Sequence, residues 1–393
     1  MIWLLAAALL QDDLTAREAA RLADAGDAAA LREREPSFWA RAALDEIDAR
    51  AKLGDAWPAP KRFSFSWSET PFDEAAGDVA DAIGVEVRTQ RDDEGTWDAV
   101  TLELEDVTPA EAVSALAAAS GGIPSGGDTK GWSITPAWWH ATKYAAWGNA
   151  AFTIDGPYRH QRVPFTQPPE ATLSLSMQLG GAGALYQCCG ARLKVTTLEA
   201  VDAKGRSLLR LEPRIEPARD GEYSDPDVAV HGEVLPTCDT EWPYLTVDLA
   251  DPGDVEKIVR LRGTVELARA GKRISTVLNK IAEKPEGALG DLKLSFDDPS
   301  TEWGQTVLSL RVRRADGAGF GGVPPHVHYT LRAGEGEENS SNHWLQARWD
   351  GDAAYVVQIY LYEGIPDTLE VSLIEEETPF RVSFEFTDVE VGP

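Results

Sequence analysis

The strongest constraint on the fold is a two-residue alternation of apolar and polar side chains that recurs from about residue 151 to the end of the sequence. It is clearest in four segments: 173–179, 259–267, 308–313 and 380–387. Successive side chains of a strand point to opposite faces of its sheet, so each segment has one apolar face and one polar face. This pattern is typical of antiparallel sheets that pack face to face. We therefore predict one or two antiparallel β-sandwich domains, the first at 151–290 and the second at 291–393.

The first 150 residues combine helical and strand patterns. Apolar residues at helical spacing lie among many charged ones between 12 and 55, which predicts an N-terminal helical hairpin. The segment 63–67 alternates aromatic residues with serines and predicts a strand. Helix-start signals follow at Thr70 and Thr108, each with a proline next to it and an apolar stripe behind it. The predicted fold class is α+β and β-rich, with a small βαββα(β) module at 62–147.

The small module resembles a known family in four segments: 63–67, 70–72, 100–107 and 108–112. The family is the secretin and TonB short N-terminal domain (STN), and the resemblance covers about 62–147. That family's small α/β domain carries no catalytic residues and serves as a periplasmic signalling or ring-assembly module that docks onto other proteins. The resemblance therefore implies a docking role for Thr70, Phe72, Val107 and Pro109. The β-rich half is similar to that of uncharacterised exported bacterial proteins, which implies no chemistry.

Aromatic residues near the end of the module are further interaction candidates. Trp138 and Trp139 are adjacent in a chain that contains 13 tryptophans. Exposed aromatic rings stack on sugars or form protein–protein hot spots. The alternative, which the usual burial of large apolar rings favours, is that the two tryptophans close the core of the module.

The chain begins with ten residues that carry no charged side chain, followed by Gln11. An apolar core of about 7–15 residues with small side chains is typical of a secretory signal. This predicts a signal peptide at 1–11 and a periplasmic or secreted location, in the bacterial cell envelope. The alternative is that the apolar block is the buried first turn of the next helix.

The charge balance excludes two classes of partner. The formal net charge is −28 at pH 7, with 37 Lys and Arg against 65 Asp and Glu. Nucleic acids and anionic membrane surfaces bind basic proteins, so neither is an expected partner. No apolar run approaches the roughly 18 residues that a membrane-spanning helix needs.

The three cysteines, Cys188, Cys189 and Cys238, are too few for a disulfide-stapled scaffold. Adjacent cysteines form a strained disulfide because their Cα atoms lie only ~3.8 Å apart. Two interpretations stay open. Either Cys238 pairs with one of the adjacent cysteines, or all three are small buried side chains.

Three histidines are the best metal candidates in the sequence. His326 and His328 would share one face of a strand, so their imidazoles could converge on one Zn²⁺ with His343 nearby. The acidic loop 220–227 offers carboxylates to Ca²⁺, although its spacing does not fit an EF-hand. The alternative is that these side chains are simply solvated. We therefore predict no cofactor, with Zn²⁺ and Ca²⁺ as the alternatives.

Several common catalytic motifs are missing from the sequence. It contains no G-x-x-x-x-G-K-[ST], H-E-x-x-H, G-x-S-x-G or C-x-x-C. We therefore predict a non-catalytic exported envelope protein that acts as a protein–protein or cell-wall interaction module. Two alternatives stay open. One is a secreted hydrolase of carbohydrate or ester, metal-assisted through the histidines; the other is an accessory subunit of a secretion or transport machine, which would form homo-oligomers.

Overall fold

The fold combines a few helices with several antiparallel sheets, so the predicted α+β, β-rich class is confirmed. A computed structural model describes residues 14–34, 37–89, 97–128, 131–136, 143–162, 170–181, 193–209, 230–234, 244–302, 304–320, 327–333, 337–338, 343–349, 354–361, 365, 367–374 and 377–391.

The N-terminal segment is helical, as predicted. Its helices are α1 Ala16–Asp24, α2 Ala28–Arg32 and α3 Phe38–Leu53. At the start of α1, the Thr15 hydroxyl accepts the Glu18 N–H and the Glu18 carboxylate accepts the Thr15 N–H, which forms a capping box. The segment differs from a simple hairpin because a third, short helix, α2, lies between the two longer ones in the chain. Asp27 is the N-cap of α2, and its side chain accepts the Ala30 N–H.

The small module has two helices and two sheets. Its elements are β1 Phe63–Thr70, α4 Phe72–Ile83, β2 Val87–Thr89, β3 Val100–Val107, α5 Pro109–Ser120, β4 Gly122–Asp128 and β5 Gly131–Pro136. β1 and β3 form an antiparallel pair, whereas β5 lies between β2, which is parallel to it, and β4, which is antiparallel. Trp67, Phe72 and Leu116 belong to the core that the helices share with these sheets. The predicted order β-α-β-β-α is confirmed, and β4 and β5 extend it.

The two predicted helix starts differ in the structure. At α5, Thr108 accepts the Glu111 N–H at 3.2 Å while the Glu111 carboxylate accepts the Thr108 N–H at 2.6 Å, so the predicted capping box is confirmed. At α4 the helix begins one residue later than predicted. Pro71 is its N-cap, and Thr70 is the last residue of β1, where it pairs with Val100.

Two four-stranded sheets form the first β-sandwich, with the orders β11-β8-β7-β6 and β10-β9-β12-β23. Their strands are β6 Lys143–Trp147, β7 Ala150–Arg162, β8 Glu170–Gly181, β9 Leu193–Asp202, β10 Val230–Val234, β11 Tyr244–Ala250, β12 Lys257–Ala270 and β23 Glu377–Glu390. The two sheets share one core, in which Phe152, Leu261 and Phe384 are almost completely buried. In the strands that contribute to this shared core, the apolar residues of the alternation face it, and the polar residues face away from it.

A second β-sandwich has the sheet orders β13-β22-β18-β19 and β14-β15-β17-β21-β20, with β16 paired to β17. Its strands are β13 Arg273–Asn279, β14 Gly287–Leu289, β15 Leu292–Phe296, β16 Ser300–Glu302, β17 Gln305–Arg314, β18 Val327–Ala333, β19 Glu337–Glu338, β20 His343–Trp349, β21 Tyr355–Leu361 and β22 Thr368–Ile374. Leu278, Leu310 and Val371 come from both sheets and meet in a separate core.

The second sandwich is inserted into the first. β23 follows β22 in the chain, yet it pairs with β12 along most of the length of both strands. This pairing corrects the predicted domain bounds, because the second sandwich occupies 273–374 rather than 291–393. Likewise β6 pairs with β7 and belongs to the first sandwich, although the module was predicted to end at 147. Alternation along a strand gives its two faces but not its neighbours, which is why these bounds were misplaced.

Replacing Phe384 with alanine tests the split arrangement. Phe384 lies beside Phe152 of β7, with ring centroids 5.6 Å apart. The variant should therefore lose about 3–5 kcal/mol of stability from the first sandwich. Thermal unfolding should show this loss in the same transition that Phe152→Ala lowers. A loss confined to the transition that Ile359→Ala lowers, in the second sandwich, would contradict the split.

Candidate functional site

Helix α3 lies between two clefts. The corner cleft, about 420 Å³, lies where α1 and α3 meet the β3–α5 corner, and its lining includes Glu46 and Asp106. The sheet cleft, about 370 Å³, lies between α3 and the sheet β10-β9-β12-β23, and its lining includes Asp45 and Arg381. Both volumes fall at the lower end of the roughly 300–1,000 Å³ usual for small-molecule sites. Two consecutive acidic residues of α3 thus face different clefts.

A chain of arginine–carboxylate contacts holds the corner cleft together. Arg50 of α3 binds Asp24 of α1 at 2.8 Å and Glu46 at 3.0 Å. Arg62, just before β1, binds the other oxygen of Asp24 at 2.8 Å and donates to the Asp106 carbonyl at 2.9 Å. Charge-assisted hydrogen bonds of this kind are stronger than neutral ones. The two guanidinium groups therefore connect the N-terminal helices to β3 of the module.

Glu46 is the most deeply buried carboxylate in this chain of contacts, with a side chain only 2% exposed. The Trp57 indole N–H donates to both of its oxygens at 3.1 Å. Gly148 lies so close that a Cβ there would be 2.8 Å from the carboxylate, and its φ of 57° also favours glycine. Burial raises the pKa of Glu46, and the neighbouring Arg50 opposes that rise.

Carboxylates outnumber cations around the corner cleft. The acidic residues of its lining are Asp24, Glu46, Glu103, Glu105, Asp106 and Glu111, and the basic ones are Arg17, Arg50 and Arg62. Glu103 has no ion-pair partner among the residues that the structure describes. Glu105 is 84% exposed, and the nearest guanidinium, that of Arg17, is 3.9 Å away. The cleft therefore keeps a negative charge that its own arginines do not balance.

The floor of the sheet cleft is a row of hydroxyl-bearing residues. Thr196 of β9, Thr264 of β12 and Ser383 of β23 lie side by side in the strand register. Beside this row, Arg381 of β23 binds Glu266 of β12 at 3.1 Å. Strand pairing alone fixes the relative positions of all five residues.

Arg41 and Asp45, one helical turn apart on α3, form the opposite wall of the sheet cleft. Neither side chain has a hydrogen-bond or ion-pair partner within the described part of the chain. Burial raises the pKa of the half-buried Asp45, and Arg381 is the strongest opposing influence. Groups with a perturbed pKa in a cleft occur more often at functional sites than elsewhere. Asp45 is therefore a candidate functional residue, because no hydrogen bond or ion pair within the described residues accounts for its carboxylate in this cleft.

The predicted interaction residues are distributed between core and surface. Phe72 is 2% exposed, and its ring packs on Trp97 with centroids 4.7 Å apart, so it is a core residue, and its docking role stays a prediction. Thr70 and Pro109 are partly exposed; Thr70 is the last residue of β1, and Pro109 is the first residue of α5. Val107 lines the corner cleft. Of these four residues, Val107 is the one that lines a cleft, so the β3–α5 corner stays a candidate interaction surface.

The predicted metal ligands are placed by strand register. His328 of β18 pairs with Ser372, and His343 of β20 pairs with Leu361, so the two histidines lie on different sheets of the second sandwich. His326 lies outside the described residues. Among the described residues, no group of three or more His, Cys, Asp or Glu side chains is arranged to hold a metal ion. The histidine site stays a prediction.

Other predicted features also fall outside the described residues. They are the leader at 1–11, Trp138, Trp139, Cys188, Cys189, Cys238 and the acidic loop 220–227.

No protein family model matches the chain, and neither a curated protein nor a solved structure matches it significantly. None of the described helices is long and apolar enough to cross a membrane.

Sequence reasoning missed the two acidic residues of α3, although one of them left a signal. Ala42, Glu46 and Ala49 follow helical spacing and all lie on the buried side of α3. An acid within an apolar stripe indicates a buried, paired carboxylate. Asp45 leaves no comparable signal, because its cleft depends on the packing of α3 against the distant strand β23.

The raised pKa of Asp45 predicts how stability depends on pH. An acid with a pKa raised above its unfolded value of 3.8 binds more protons in the folded state, so stability falls as pH rises through the interval between the two values. Asp45→Asn removes this loss. We expect the variant to be more stable than the wild type at pH about 7, with the advantage lost near pH 3.5. Urea unfolding at both pH values measures it.

Asp48→Asn is the matched control for this prediction. Asp48 lies on the same helix but is exposed and pairs with Lys52 at 2.8 Å. Its replacement should give no stabilisation at neutral pH. Equal effects of the two substitutions would contradict a burial effect specific to Asp45.

Proposed function

We propose that this chain is a non-catalytic exported envelope protein that binds partner proteins at the corner cleft. One observation carries the proposal: carboxylates exceed cations around a concave surface at the β3–α5 corner, in the region whose motifs resemble a docking domain. A surface of one sign attracts the opposite sign and accelerates association with it. The partner we propose is an envelope protein that presents a basic segment.

Helix α1 supports this choice of partner. Its residues Arg17 and Arg21 reach the same corner, where Arg17 donates to the Glu105 carbonyl and Arg21 binds Asp106 at 3.2 Å. Their side chains are 48% and 62% exposed. Exposed pairs contribute only roughly 0–1 kcal/mol to stability. Arginines of a partner can therefore add to these contacts, or replace them, at little cost to the fold.

The backbone at Asp106 also supports a functional role for the corner. Its φ is 57°, which is uncommon for a residue other than glycine. The Asp106 N–H donates to the Ser64 hydroxyl at 3.2 Å, while Arg62 and Arg21 bind its carbonyl and its carboxylate. Strained residues that several contacts hold in place cluster at functional sites.

The cellular setting is part of the same proposal. The apolar leader at 1–11 supports export to the periplasm or to the outside of the cell. A cell-wall component is the alternative partner, because the bacterial envelope contains cell-wall material as well as proteins. A second copy of this chain is a weaker candidate, because each copy carries a charge of −28 and like charges repel.

Neutralising two exposed acids should weaken the binding of a basic peptide. We expect full-length Glu103→Gln/Glu105→Gln to bind a fluorescent arginine-containing peptide at least about tenfold more weakly than the wild type, a loss of about 1.4 kcal/mol. Fluorescence anisotropy measures the affinities. The affinity of the wild type should fall as salt is added, because salt screens exposed charges.

The double variant Glu256→Gln/Glu286→Gln is the matched control. Both residues are exposed and lie outside the corner cleft, so the variant loses the same charge elsewhere. It should bind the peptide almost as well as the wild type. Equal losses in the two double variants would show attraction by the net charge alone and would contradict a corner site.

Export predicts a defined N-terminus. After expression of the full chain in a bacterial host, we expect the protein in the periplasmic fraction or the medium, beginning near Asp12. Two charges in the apolar core, as in Leu5→Arg/Leu9→Arg, should retain the protein in the cytoplasm with an intact leader. N-terminal sequencing of both proteins is the measurement. A wild type that stays in the cytoplasm would contradict export.

A further inference from the structure

We propose that the sheet cleft is a saccharide-binding site. This inference rests on other residues than the corner cleft does, so it stands or falls independently of the docking function. A saccharide presents hydroxyl groups that both donate and accept hydrogen bonds around a compact ring. The sheet cleft offers both kinds of partner, a neutral total charge and a volume of about 370 Å³.

The floor and the wall provide complementary hydrogen-bonding groups. Each hydroxyl of Thr196, Thr264 and Ser383 can donate one hydrogen bond and accept others. Asp45 only accepts when ionised, and Arg41 only donates. Because neither Asp45 nor Arg41 has a hydrogen-bond or ion-pair partner among the described residues, both are available to a ligand.

The charge of the cleft selects an uncharged ligand. Two arginines, Arg41 and Arg381, face two acids, Asp45 and Glu266. Arg381 and Glu266 already neutralise each other at 3.1 Å. An anion or a cation would therefore meet both attraction and repulsion, whereas the hydroxyl groups of a sugar can bond to carboxylates and guanidinium groups alike.

An apolar lip completes the site. Leu198 is 43% exposed, which is unusual for a large apolar side chain in the described structure, and it lines the cleft. It lies at an irregularity of the β9–β12 pairing, where Glu199 opposes Arg262 and Thr197 opposes Gly263. Bulges of this kind redirect a side chain and are common beside binding sites. Leu198 can pack against the apolar C–H face of a sugar ring.

The α3 wall and the sheet floor of the cleft are connected to each other without any ligand. The guanidinium group of Arg262 lies 5.0 Å from the centre of the Phe38 ring at the start of α3, and it binds Glu385 at 3.3 Å. Arg262 itself is 8% exposed. Since α3 is tied to the sheet at this point, the ligand does not have to order the site, which favours affinity.

Calorimetric titration of the full-length protein tests the proposal. The probes are N-acetylglucosamine, cellobiose and maltose, each titrated separately. We expect saturable binding of at least one of them, with a dissociation constant on the order of 1 mM or tighter. Asp45→Asn and Thr264→Val should each weaken that binding, Asp45→Asn by at least about tenfold, because its carboxylate accepts hydrogen bonds from the sugar. Asp45→Asn is expected to fold more stably than the wild type, so lost binding would not reflect unfolding.

Two controls separate this site from its surroundings. Asp48→Asn removes the same charge one turn along α3, outside the lining, and should leave the affinity unchanged. The corner-cleft variant Glu103→Gln/Glu105→Gln should also bind the sugar as the wild type does. Failure of the saccharide proposal can therefore be told apart from failure of the docking proposal. Absence of saturable binding of all three sugars up to roughly 10 mM would overturn the proposal. So would unchanged affinity in Asp45→Asn, or Asp45-dependent binding of glycine in place of the sugars.

Discussion

A carboxylate in the interior of a protein costs several kcal/mol unless donors surround it, and Glu46 is in that position. Its donors are Arg50 on the same helix and the indole of Trp57, which follows that helix. Arg50 extends the contact to Asp24 on α1. The same groups that offset the cost also connect α3 to α1, and the Glu46 carboxylate lies against the turn at Gly148. Both clefts are bounded by α3, so their shapes follow from this arrangement.

Much of the fold could be predicted from the sequence because its determinants are local. Alternation over a few residues identifies a strand such as 380–387, and the capping box at Thr108 depends on residues three apart. The partner of a strand is not local information. Segment 380–387 has the same alternation whether it pairs with β12 or with a strand of the second sandwich, so the insertion could not be derived from it.

Less of the candidate site could be predicted, for the same physical reason. The motif that ends at Val107 identified the corner but not the α1 arginines that pack there, which come from a segment with no local relation to β3. The docking role of Phe72 came from the resemblance of its motif, which does not tell whether the side chain is accessible, and the ring at the start of α4 packs in the core of the module. The hydroxyl row of the sheet cleft exists only once three strands are in register.

The insertion of one sandwich into the other also determines the order in which the molecule can be completed. β12 is synthesised before the inserted sandwich and β23 after it, so one edge of β12 has no partner until more than a hundred further residues have been made. Helix α3 packs against β23 and is made earlier still. Helix α3 therefore cannot complete its contacts with the sheet until β23 has been made. A chain that ends within the inserted sandwich has an open edge on β12 and lacks Arg381 and Ser383, which line the sheet cleft, so the cleft is complete only when the last described strand is in place.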